Sequence, residues 1–97
     1  MQVSWELTAR SFFDQLSKRD QAAVERSVQR VAKNWEQLEP IELKQLIGVS
    51  DKSGRPLMVL RAGNDLRVLL YRIDQRVIVV DVLRRSQIER LQARSRS

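Results

Sequence analysis

The residues that could do chemistry in this chain are arginines, and they are crowded into its second half. Between Arg55 and Ser97 there are ten Arg, no Lys and only four acids. Between Met1 and Gly54, eight Lys+Arg face eight Asp+Glu, so the net charge of +6 lies entirely beyond Gly54. A guanidinium stays charged at any relevant pH and meets a phosphate or carboxylate bidentately. Such asymmetry points to a nucleic-acid surface or an acidic protein partner. The plainer account is a sheet face kept soluble by arginine, since Arg also serves at edges and surfaces. His and Cys are both absent. That removes the usual general base at neutral pH, the commonest metal ligand, thiolate metal sites and disulfides. A cysteine-free chain fits a reducing cytosol, and a cytoplasmic location is expected.

These arginines punctuate three apolar runs, Leu57–Arg61, Leu66–Ile73 and Val77–Leu83, at Arg61, Arg67, Arg72 and Arg76. Runs of this length, rich in Val, Ile and Leu and bounded by turn residues, predict strands. Gly63-Asn64-Asp65 and Asp74-Gln75 separate them. Gaps so short predict successive antiparallel hairpins, because a parallel return needs a crossover of a dozen or more residues. Val77 to Val80 is apolar at every position, which predicts a central strand covered on both faces. Arg61 and Arg67 lie across one turn on neighbouring strands. On a shared face they could clamp one phosphate.

The other elements must carry this unit. Val3, Trp5 and Leu7 alternate with Ser4 and Glu6, which predicts a short half-buried strand. Thr8 is placed to cap a helix whose apolar residues are Ala9, Phe12, Phe13 and Leu16. Asp20 could cap a second helix, with Val24, Val28, Val31, Trp35 and Leu38 on one face, ended by Pro40. Ile41 to Ile47 is a weaker strand candidate, and Gly48 to Arg55 reads as a polar loop. After Leu83, Ser86 could cap a short helical tail carrying Ile88 and Leu91, frayed from Ala93. The order is α+β: an N-terminal strand, a two-helix hairpin, a mainly antiparallel four-stranded meander and a short C-terminal helical tail. At this length residues 1–97 are expected to form a single domain, with roughly two-thirds of the unfolded surface buried. No run approaches the roughly 18 apolar residues of a membrane span, so no membrane partner is expected.

Several short signatures in this order resemble the RelE/ParE superfamily of bacterial toxins from type II toxin–antitoxin systems. They are the first strand with Trp5, the helix pair, and Leu46-Ile47-Gly48. Leu60-Arg61-Ala62-Gly63 then leads to Leu66-Arg67-Val68, followed by Tyr71-Arg72-Ile73-Asp74 and by Val77 to Val82 with Arg84-Arg85 behind it. The resemblance spans about Val3 to Leu91. It implies a RelE-like, ribosome-associated mRNA endoribonuclease that uses no metal or other cofactor, or a ParE-like inhibitor of DNA gyrase, or an inactive binding protein of the same fold. In each active case a cognate antitoxin is the implied partner.

The resemblance also implies roles. Arg61, Arg67 and Arg85 fall where relatives contact the scissile phosphate, and Arg84 falls where relatives often carry His or Lys. Arg72, Arg55 and Tyr71 are the further candidates for RNA contact. Metal-free cleavage uses the 2′-hydroxyl as nucleophile and needs a base, cations for the developing charge and an acid. The chain departs from the nuclease pattern in two places: Leu57-Met58-Val59-Leu60 is apolar where lysines are expected, and no Tyr follows Tyr71. Asp81 and Glu89 are the acids near the basic end.

Overall fold

A computed structural model describes residues 1–38, 43–50 and 53–96. The elements are β1 (Gln2–Trp5), α1 (Leu7–Asp14), α2 (Lys18–Asn34), a 3-10 turn at Trp35–Gln37, β2 (Leu43–Ser50), β3 (Pro56–Ala62), β4 (Leu66–Ile73), β5 (Arg76–Arg84) and α3 (Arg85–Arg96). They build one five-stranded sheet in the order β1-β5-β4-β3-β2. β2 to β5 form the antiparallel meander, while β1 runs parallel to β5 because the α1–α2 excursion separates it from the later strands.

Strand alternation gives the sheet two unlike faces. Even-numbered residues of β3 and β4 (Leu60, Ala62, Leu66, Val68 and Leu70) face α1 and α2, where Ala9, Phe13, Val24, Val28 and Val31 meet them in the main core. Odd-numbered residues (Leu57, Val59, Leu69 and Tyr71) form a second, smaller cluster with Ile88 of α3. β4 is the central strand, apolar and covered on both sides. β5 is interior rather than central: Val77 and Val79 are fully buried on the α1–α2 side, and Ile78 and Val80 are half-buried on the other. The β4–β5 register slips between Leu69 and Leu70, which pair with Asp81 and Val79. Val80 is therefore the extra residue of a bulge, the device that re-aims a strand's side chains. It brings Asp81 onto the α3 face.

Several local expectations are corrected. Leu7 is not a strand residue; it opens α1 and is 82% exposed. Thr8 lies inside α1, with Glu6 in the extended cap position and no side-chain capping bond. α2 is capped by Ser17, whose Oγ accepts from the Asp20 N–H at 3.2 Å, so Asp20 stands in the first turn. There its carboxylate favours the positive end of the helix. α3 starts at Arg85, before Ser86; Gln87 Oε1 accepts from the Arg84 N–H at 2.7 Å, one half of a capping box. The helical tail reaches Arg96, and β2 extends to Ser50, into the expected loop. Pro40, Ile41, Asp51 and Lys52 lie outside the described residues.

Candidate phosphate-binding site

The β3–β4 turn organises the arginines. Gly63 adopts φ +78°, a region open to glycine without a Cβ penalty, and reverses the chain tightly. Arg61 and Arg67 are then direct cross-strand partners. Such partners share a face, with Cβ atoms roughly 5 Å apart. Both guanidinium groups fold back onto the turn. Arg61 Nε donates to the Gly63 carbonyl and Nη2 to Asn64 Oδ1, each at 3.4 Å. Arg67 Nη1 donates to the carbonyl oxygens of Leu66 at 2.8 Å and Gly63 at 3.3 Å.

The third cation comes from the end of β5. Leu83 pairs with Arg67 and Arg84 with Leu66, so Arg85 arrives beside the same turn. Its backbone N–H donates to the Asp65 carbonyl at 2.7 Å. That bond anchors the first residue of α3, whose amide has no intrahelical acceptor. Arg85 Nε also donates to Glu89 Oε1 at 3.1 Å, one helical turn on. This exposed pair fixes little energy but places a carboxylate among the cations.

Electrostatics report the crowding. Partial burial holds the Arg67 guanidinium below its ordinary pKa, and repulsion from Arg61 and Arg85 adds to that effect. Asp65 and Glu89 offset part of it. Three guanidinium groups thus converge, with the middle one partly desolvated. An anion entering there would relieve the repulsion, which is how a phosphate site is built.

Solved structures share this architecture. A copper-bound mutant toxin from Helicobacter pylori superposes with a TM-score of 0.65 at 16% identity, over 90% of this chain and 97% of that one. YafQ from Escherichia coli gives 0.66 at 9% identity, over 89% and 94%. The protein HP0894 from Helicobacter pylori, known from a solution structure, gives 0.51 at 12% identity, over 89% and 96%. The chain has the RelE/YafQ fold. No protein-family model and no curated protein matches the sequence.

Within the RelE/YafQ fold, the structure separates the other candidates from Arg61, Arg67 and Arg85. Arg84 neighbours Arg85 in sequence but faces the α1–α2 side, where its Nη1 lies 3.2 Å from Asp65 Oδ2 and 4.0 Å from Asp20 Oδ2. Arg72 occupies an even position of β4 and so also faces that side, bonded to Glu36 Oε1 at 2.8 Å and stacked 5.7 Å from the Trp35 ring centroid. Tyr71 shares the cluster's face but lies four residues along β4 from Arg67, about 13 Å at the usual strand rise. Only 9% exposed, it packs in the second core with Arg55 stacked over its ring at 5.3 Å. Its ring face is already occupied by a cation.

Among the described residues, Glu89 and Asp81 stand on the cluster's face. Glu89 is held by Arg85. Asp81 faces Leu69 beneath α3; burial pushes its carboxyl up, Glu6 adds to the rise, and the Val82 N–H it accepts at 2.9 Å opposes it. Spacing alone could not select Glu89, because its role depends on Arg85 opening α3 and not preceding it. The part played by the Gly63, Asn64 and Leu66 oxygens in holding the arginines had no sequence signal beyond the turn itself.

Proposed function

We propose that this protein is the toxin of a toxin–antitoxin pair, and that Arg61, Arg67 and Arg85 bind the scissile phosphate of mRNA on the ribosome. The single observation that carries this reading is the partly desolvated Arg67 held between two like charges at the end of one sheet face. The fold, shared with toxins from Helicobacter pylori and Escherichia coli, is consistent with it.

In this reading the arginines hold the phosphate and neutralise the charge that builds on its oxygens. Glu89, bonded to Arg85, accepts the proton of the 2′-hydroxyl. The 2′ oxygen then attacks phosphorus, the bond to the 5′ oxygen breaks, and that oxygen takes a proton from solvent. The products are a 2′,3′-cyclic phosphate and a free 5′-hydroxyl. Arg72, Arg55 and Tyr71 lie too far from the cluster to touch the same phosphate and serve the fold, or RNA beyond it. A cognate antitoxin would cover the basic face and stabilise the toxin by mass action.

The test is purified protein on programmed ribosomes with mapping of mRNA 5′ ends. New ends in the wild type, lost in Arg67→Ala and in Glu89→Gln, are expected. No new ends at saturating protein would overturn the nuclease reading. A second reading, a ParE-like inhibitor of DNA gyrase, is favoured by the lack of any Tyr after Tyr71 and of lysines in Leu57-Met58-Val59-Leu60. Inhibition of supercoiling without mRNA cleavage would select it.

A further inference from the structure

The phosphate cluster occupies one side of the β3–β4 turn. On the other side lies an open cleft of about 580 Å³ between that turn and the start of α2, lined by Arg19, Ala23, Arg26, Asn64, Asp65 and Arg84 among others. Arg19 and Arg26 are seven residues apart in α2. Seven residues are two helical turns, so both lie on one face about 10 Å apart. Ala23 sits between them, and its single methyl leaves the space open. Both arginines are exposed, and neither has an ion pair among the described residues.

Arg84 forms the base of the cleft. Its contacts to Asp65 and Asp20 both use Nη1, which leaves Nε and Nη2 for an anion. Arg84 and Arg85 are consecutive and diverge to opposite faces of the sheet, one into each site. The turn, residues 63–65, borders both groups of arginines. A guanidinium group on both sides of a narrow ridge suits a flexible polyanion laid across it, with phosphates on either slope.

We propose that Arg19, Arg26 and Arg84 form a second phosphate subsite, and that single-stranded RNA crosses the β3–β4 turn from one subsite to the other. This rests on the RNA reading given above and extends it by naming the strand's path. The order of the chain makes it economical: one turn and one strand end supply both sites, and α2 adds the outer wall.

Binding of a fluorescein-labelled oligouridine tests it, followed by anisotropy as salt is raised. For single strands each phosphate contact contributes about 0.7 to the slope of log K against log salt. The double variant Arg19→Ala/Arg26→Ala is expected to lower that slope by about 1.4, two such contacts, while circular dichroism melting stays at the wild-type temperature. Arg61→Ala/Arg67→Ala is expected to lower it independently. If the wild type binds RNA and Arg19→Ala/Arg26→Ala leaves slope and affinity unchanged, the second subsite is overturned while the first stands. If the wild type binds no RNA, both fall. Equal competition by polyglutamate would also overturn the proposal, since an acidic protein segment would then serve as well as a phosphate strand.

Discussion

Leu69 and Leu70 are consecutive in β4, both buried, yet they belong to different parts of the molecule. Leu70 is fully buried under α1 and α2, in a core with no buried polar side chain among the described residues. Leu69 lies under α3 in the smaller cluster, on the face that also carries Arg61, Arg67 and Asp81. One face of the sheet is given over to burial. The other mixes burial with charge and is covered by a single helix of 12 residues. Arg61 and Arg67 stand at the end of this thinly covered face, where no full helical layer closes off their guanidinium groups.

The sharpest way to break this comparison is to cut the same side chain on each face. Leu70→Ala should cost about 2–5 kcal/mol, the range for a large-to-small change in a core that cannot collapse. Leu69→Ala should fall at the lower end of that range, since α3 can shift into the space. Equal losses of melting temperature would mean that the two faces are packed alike.

Next in size is the charge on the second face. Arg61→Ala and Arg67→Ala should each weaken RNA binding by about 10- to 150-fold, the equivalent of a hydrogen-bonded charge at about 1.5–3 kcal/mol. Their melting temperatures should barely move, and Arg61→Ala should be neutral or slightly stabilising because it removes a like charge beside Arg67. A drop as large as that of Leu69→Ala would show that these arginines hold the fold.

Ser17→Ala tests the first face at its rim. Loss of the bond to the Asp20 N–H should cost about 1 kcal/mol, or about 4–8 °C in a domain of this size.

The smallest effect concerns Asp81. Its folded pKa is raised by burial, so between the ordinary carboxylate value and the raised one the native state holds more protons than the unfolded chain. Stability therefore falls as pH rises through that window and stays lower above it. Asp81→Asn keeps an acceptor for the Val82 N–H and removes the partly buried charge. Its advantage over wild type should appear as pH rises towards neutrality and vanish in acid, as followed by thermal melts.

Much of the architecture is legible in the residues. Val24, Val28 and Val31 recur at helical spacing, and Leu66–Ile73 is a short, mostly apolar run between turn signals, so α2 and β4 are dictated locally. The caps were less legible. Ser17, Asp20, Thr8 and Ser86 are all competent caps, and helix starts at 7, 18 and 85 were decided by where each apolar face had to meet the sheet. The bulge at Val80 was invisible, because an extra valine in a run of valines changes no pattern. It nevertheless turns Asp81 towards α3.

By itself, then, the sequence determined the order of elements, the strands of the meander and the concentration of guanidinium groups beyond Gly54. Those properties depend on local periodicity, turn chemistry and composition. Which further arginine lies beside Arg61 and Arg67 was decided only by tertiary structure. Arg84 and Arg85 are neighbours in the chain but point to opposite faces, while Arg85, from the far end of β5, comes beside Arg61 and Arg67 across the β3–β4 turn. Strand register and the start of α3 set that grouping, and both are fixed by how the sheet's two faces are buried.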